Sequence, residues 1–120
     1  MGGTRFVGRP LVESLLANGN ELTLFTRGRN SVPRNVDHIA GDRSKKDGLD
    51  PLRGRNFDVI VDISGRTQKD SQQVLEVVGM PKHRFLYVSS AGVYAPSEEL
   101  PMREDSPLDP TSRHLGKAET

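Results

Sequence analysis

Residues 1–8, Met-Gly-Gly-Thr-Arg-Phe-Val-Gly, constrain the fold more than any other part of the chain. Gly2, Gly3 and Gly8 stand at the mouth of an apolar pattern. Val7, Leu11 and Leu15 recur at every fourth position, with Val12 and Leu16 beside them. That spacing predicts an amphipathic helix over 6–18, stopped by Gly19. Pro10 falls early in it, where its missing N–H costs least. A glycine turn that opens a helix aims backbone N–H groups and the positive helix end at one spot, an arrangement suited to a diphosphate. Such a turn hangs from the end of a buried strand, and the sequence places nothing ahead of Met1. The expectation is therefore a fold truncated at its N-terminal strand.

The rest of the chain alternates in kind. Residues 21–26 are a β-rich run, broken by Arg-Gly-Arg-Asn. A weaker strand is predicted over 36–40, ended by Gly41-Asp42. A polar stretch, 45–56, holds a short helix around Leu49 and Leu52. Val-Ile-Val-Asp-Ile (59–63) reads as a buried strand, 67–78 as a helix, and 85–89 as another strand. A proline-rich loop spans 96–110, and a helix begins near Ser112 and is cut off at the C-terminal side. With a strand placed first, this order becomes the repeating βα pattern of an α/β, doubly wound parallel sheet in three layers, of Rossmann type.

At 120 residues the chain holds one domain, here a partial nucleotide-binding one over 1–120 with no substrate-binding portion. Its net charge of +1 provides no global field to recruit nucleic acid or a membrane. The absence of cysteine excludes disulfides and thiolate metal sites, and no metal site is expected. No apolar run is long enough to span a bilayer, so a soluble, cytosolic-type protein is expected.

Several motifs in order carry a resemblance. Gly-Gly-Thr-Arg-Phe-Val-Gly is similar to the Thr-Gly-Gly-x-Gly-Phe-Ile-Gly signature of the extended short-chain dehydrogenases/reductases, the NAD-dependent epimerase/dehydratase family. It continues through Gly41-Asp42, through Val-Ser-Ser-Ala-Gly-Val-Tyr (88–94), and through Glu104-Asp105-Ser106-Pro107 to Lys117. The resemblance implies NAD or NADP as cofactor, held by Gly2, Gly3, Arg5, Phe6, Val7 and Gly8 of the turn. Arg5 replaces the family's middle glycine, and its side chain either crowds the diphosphate or pairs with it. Where NAD-preferring members hold an acid, this chain has Thr26 and then Arg27, which leans toward NADP. The bland alternative for Arg27 and Arg29 is a solvated turn.

Asp42 matches an aspartate that accepts from the adenine amine, with a turn cap as the alternative, and Arg43 follows it. Ser64 and Gly65 match small residues lining the cofactor cleft, whereas Asp62 has no family counterpart in that strand. Ser90 matches the serine that holds the substrate oxygen, and Lys117 the lysine of the Tyr-x-x-x-Lys pair. Four positions before Lys117 stands Arg113, which cannot exchange a proton. His114, three before it, is of a residue type that can exchange a proton at neutral pH, though a surface histidine at a helix start is the plainer reading. The implied activity is an NAD(P)-dependent epimerase, dehydratase or reductase on a nucleotide-sugar-like substrate, or a degenerate version of it.

The lost tyrosine, the Gly-Gly-Thr-Arg-Phe turn and the Ser-Arg-His-x-Gly-Lys run narrow the resemblance. They are similar to a divergent branch, the chloroplast stem-loop RNA-binding proteins and their cyanobacterial relatives. That implies RNA as an alternative partner and either a bacterial cytoplasm or the plastid stroma as location. Composition does not add to it, since aromatic residues are 5% of the chain. The basic clusters Arg27/Arg29/Arg34 and Arg43/Lys45/Lys46 are either RNA contacts or solvated loops.

Overall fold

The structure is a computed structural model and describes residues 1–98 and 101–112. Helix α1 (Gly8–Ala17) leads into strand β1 (Thr23–Thr26), strand β2 (Asp37–Ala40), a 3-10 turn (Asp50–Leu52), strand β3 (Val59–Asp62), helix α2 (Gln68–Val78), strand β4 (Arg84–Tyr87) and a second 3-10 turn (Ala91–Val93). Each of the strands and α-helices lies within or one residue beside the range its pattern predicts, while the pattern does not foresee the 3-10 turn at Ala91–Val93. In the polar stretch 45–56 the expected short helix is three residues of 3-10 helix, with Pro51 in its first turn, where its missing N–H costs least. The helix expected from Ser112 onward lies outside the described residues, apart from Ser112 itself.

The expected single sheet is divided into two parallel pairs, β1–β2 and β3–β4. Met1 joins them. Its ammonium donates to Val61 O at 2.8 Å and its carbonyl accepts from Ile63 N–H at 3.3 Å, the slanted pattern of a parallel ladder. On the other side Gly2 N–H donates to Phe25 O at 2.9 Å. The spatial order is thus β2, β1, Met1, β3, β4.

Side chains alternate across these strands, so each strand feeds two faces. Phe25, Ile39 and Ile60 pack with Val74 of α2 and with Leu49 and Leu52, forming the main core. Val74 is 1% exposed. On the opposite face a side chain added at Gly3 would meet both Leu24 of β1 and Val12 of α1, which places α1 there. Helix, sheet and helix make three layers. Helix α2 begins at a reciprocal cap: Thr67 Oγ1 accepts from Asp70 N–H, and Asp70 Oδ2 accepts from Thr67 N–H at 3.0 Å and Arg66 N–H at 2.7 Å.

Candidate functional site

The C-terminal ends of the strands and the turn before α1 face the same edge, the place where open parallel sheets receive ligands. Gly2 and Gly3 adopt φ of +84° and +112°, open to glycine and costly for other residues. Gly8 is required for a different reason. A Cβ there would lie 2.5 Å from Gly3 Cα, so only a bare backbone lets the helix start against the turn.

Within the expected cofactor turn, the amides of the two outer glycines are already bonded. The Gly2 amide is committed to Phe25 O, and the Gly8 amide to Arg5 O at 2.8 Å. The N–H groups of Gly3, Thr4, Arg5, Phe6 and Val7 have no hydrogen-bond partner among the described residues. No side chain caps the start of α1, and its first turn carries no acid. Phe6 is 90% and Val7 64% exposed, so the arc of amides is open. Asn30 Nδ2 donates to Thr4 Oγ1 at 3.2 Å and ties the loop after β1 to the turn.

Around this arc the sequence-derived residues behave differently from one another. Arg27 is exposed directly after β1, and Thr26 Oγ1 accepts from Gly28 N–H at 3.1 Å and meets His38 Nε2 at 2.9 Å. Asp42 uses Oδ1 to accept from Ser44 Oγ at 2.6 Å and Ser44 N–H at 3.0 Å, a turn cap. Those bonds, the hydroxyl first, hold its carboxyl below the usual range. Its Oδ2 accepts none of the described hydrogen bonds. Ser90 Oγ accepts from Gly92 N–H at 3.2 Å, which leaves its proton to donate. His114 and Lys117 lie outside the described residues, so their juxtaposition with Ser90 stays an expectation.

Arg43 departs furthest from its expected role. It turns inward and leaves the basic cluster with Lys45 and Lys46. Its Nη1 donates to both Asp62 oxygens, at 2.8 and 2.9 Å, and meets Ser64 Oγ at 3.0 Å; its Nη2 donates to Asp70 O at 2.6 Å. One side chain therefore joins the end of β2, the end of β3 and the start of α2. Asp62 is 0% exposed and also accepts from Ser64 N–H at 3.0 Å and Gly65 N–H at 2.9 Å. Desolvation is the largest influence on its carboxyl and pushes it up. The Arg43 bond and charge, with the two amides, outweigh that and hold it below the usual carboxylate range. Tyr87 closes the cluster by donating to Gly65 O at 3.1 Å, and burial pushes its phenol up.

Sequence reasoning missed this pairing. The available signal was a carboxylate inside an apolar strand, which must find a cation or several N–H groups to be buried. Ser64 and Gly65, expected to line a cleft, are first of all the backbone that caps Asp62. A Cβ at Gly65 would lie 2.8 Å from Asp62 Oδ2.

The profile of the NAD dependent epimerase/dehydratase family matches residues 1–115. The chain belongs to that family. Over 137 aligned residues it is 39% identical to "Chloroplast stem-loop binding protein of 41 kDa b, chloroplastic" of Arabidopsis thaliana, a match that covers 100% of this chain and 36% of that protein. Among solved structures it is similar to "MoeE5 in complex with UDP-glucose and NAD", with a TM-score of 0.68 and 21% identity, over 98% of this chain and 44% of the other. The second likeness establishes the fold, the α/β Rossmann type. The chain spans less than half the length of both proteins. The glycine turn and the strand-end loops described above lie inside the family match. Among the described residues no cluster suits a metal ion, and no helix is long and apolar enough to cross a membrane.

Proposed function

We propose that this chain binds a nicotinamide dinucleotide as the nucleotide-binding portion of an epimerase/dehydratase-family protein. The observation that carries the reading is the open arc of unpartnered N–H groups from Gly3 to Val7 at the uncapped start of α1. A diphosphate would satisfy several of these solvent-facing amides at once while meeting the positive end of the helix. The residues fit the group. Gly3 to Val7 hold the diphosphate, Asp42 Oδ2 takes the adenine amine, and Arg27 sits by the ribose, where a guanidinium suits a 2′-phosphate. When bound, the nicotinamide supplies hydride exchange. Ser90 offers a hydroxyl proton to a substrate oxygen, and Lys117 and His114 are the remaining candidates for proton handling. A nucleotide-sugar-like substrate follows from the family.

A second reading rests on the Arabidopsis relative's name. Exposed Arg27, Arg29, Arg34, Lys45 and Lys46 are available to RNA phosphates, and location in a plastid would follow. Calorimetry with NAD, NADP and ADP-ribose, run beside a gel shift with a stem-loop RNA across salt, separates the two. Dinucleotide binding tighter for NADP supports the first reading with its Arg27 role. Steeply salt-dependent RNA binding with no dinucleotide binding supports the second.

A further inference from the structure

The crossover between two parallel strands is usually a helix that covers the sheet. Residues 27–36 cross from β1 to β2 without one, and His38 of β2 is exposed. Its register partner in β1 is Leu24, and paired residues of a parallel ladder point to the same face. Leu24 is the side chain that a Cβ at Gly3 would meet, so His38 shares the face of α1 and the glycine turn. Thr26, two residues beyond Leu24, shares it too. Thr26 also follows Phe25, whose carbonyl accepts from Gly2 N–H at 2.9 Å. Gly28, at φ +71°, turns the chain back, and its N–H donates to Thr26 Oγ1 at 3.1 Å. The Thr26 hydroxyl is therefore held at the end of β1 beside the turn, where a dinucleotide places its adenosine ribose.

A hydroxyl has one hydrogen and two lone pairs. The Gly28 amide takes one lone pair of Thr26 Oγ1, and His38 Nε2, at 2.9 Å, takes one of the two places left. Which place it takes depends on the imidazole. An Nε2 without a hydrogen accepts the hydroxyl proton and leaves a lone pair free, an acceptor suited to a ribose 2′-hydroxyl. An Nε2 that carries a hydrogen donates to the second lone pair and leaves the hydroxyl proton free, a donor suited to a 2′-phosphate. The imidazolium has only the second option, and it adds a positive charge behind the hydroxyl.

We propose that His38 is a positioning residue that selects the ribose 2′ substituent through the Thr26 hydroxyl, holding it as a donor to a 2′-phosphate when the imidazole is protonated and releasing it as an acceptor for a 2′-hydroxyl when the imidazole is neutral. The inference rests on the dinucleotide reading above and adds to it a residue and a direction. Preference for NADP over NAD falls as pH rises through the range in which histidine changes charge. The other charged groups on the elements around this face are Arg9 and Glu13 of α1, Arg27, Arg29 and Arg34 of the crossover, and Asp42 beyond β2. Asp37, next to His38 in β2, belongs to the opposite face and accepts from Arg55 Nη1 at 2.6 Å. Among the described residues none of these groups bonds the His38 ring, so Thr26 is the group through which it acts.

The test measures NAD and NADP affinities of the full chain by calorimetry from about pH 5.5 to about pH 8. His38→Gln keeps a hydrogen-bonding group without a titrating charge. It serves as the reference, because the 2′-phosphate itself gains charge over the same range. Relative to His38→Gln, the wild-type NADP:NAD affinity ratio is expected to fall about fivefold from the low to the high end, the size of one exposed charge contact. Thr26→Val, of the same shape without the hydroxyl, is expected to follow His38→Gln. Wild-type and His38→Gln ratios that run together across the range, with both dinucleotides bound, overturn this proposal and leave the dinucleotide reading standing. The wild-type profile retained in Thr26→Val overturns it too, because the hydroxyl is then not the relay. Absence of NAD and NADP binding to the wild-type chain overturns both.

Discussion

Replacing Arg43 by methionine isolates the interaction on which the sheet edge rests. Methionine keeps most of the aliphatic bulk, so little of the effect comes from packing. What is lost is the guanidinium that meets both oxygens of a carboxylate with no solvent exposure. Stripping one partner from a buried pair costs about 3–5 kcal/mol. An independent bound comes from protonation. Asp62 can escape its unpaired charge by taking a proton, and at pH 7 that costs at most about 4 kcal/mol, three pKa units from the ordinary aspartate value at 1.36 kcal/mol each. The two limits agree. A loss of this size lowers the midpoint of a domain of this length by roughly 10–25 °C.

The sign of the pH dependence follows. In the native protein the folded Asp62 pKa is depressed, so its contribution is present above the unfolded value near 4 and is lost as pH falls through the folded value. In Arg43→Met the desolvated carboxyl is raised instead, so the penalty is largest at neutral pH and shrinks toward about pH 4. Urea denaturation followed by circular dichroism at pH 7 and pH 4.5 should show a difference from wild type of about 3–4 kcal/mol that falls by more than half. Arg43→Met with Asp62→Asn should remove that pH dependence. A pH-independent loss below about 1 kcal/mol would refute the pairing and its energetic role.

Gly8→Ala forces a Cβ to within 2.5 Å of Gly3 Cα, so it should cost about 1–3 kcal/mol and abolish dinucleotide binding, as read by chemical denaturation and calorimetry. Thr67→Ala removes one arm of the α2 cap and should cost about 1 kcal/mol, with Thr67→Ser close to neutral, measured by urea denaturation. Asp70 is pushed up by desolvation but held low by the Arg66 and Thr67 amides. Asp62 and Asp70 together should keep stability level above about pH 4 and reduce it as pH falls through their folded values, measured by acid titration of the far-ultraviolet signal. Arg27→Glu should weaken NADP binding at least about tenfold while sparing NAD, if the guanidinium meets the 2′-phosphate; equal loss of both would remove that role.

What the sequence revealed and what it hid divide along physical lines. The helix after the glycine turn was readable because its apolar residues repeat with the helical period. The strands at 23–26 and 59–62 were readable because short apolar runs between breakers have few other uses. The glycines at 2, 3 and 8 announced a steric requirement, yet not which amides stay free. That depends on Phe25 O and Arg5 O, acceptors chosen only on folding. Asp42 and Ser90 were picked for function, and each spends an oxygen on its own turn, a local competition that short polar side chains always enter. The Arg43–Asp62 pair was illegible because its partners are 19 residues apart and meet only when β2 and β3 end side by side. An aspartate amid Val-Ile-Val raised the question without indicating the answer. His114 and Lys117 keep the standing they had in the sequence.

The most direct test of the account is a titration of the ¹⁵N-labelled chain with NAD, following backbone amide resonances. The account predicts saturable shifts concentrated at Gly3, Thr4, Arg5, Phe6 and Val7, with Gly2 and Gly8 moving less because their amides are already bonded. Unchanged resonances across that arc at millimolar NAD, or saturable shifts confined to other parts of the chain, would contradict it.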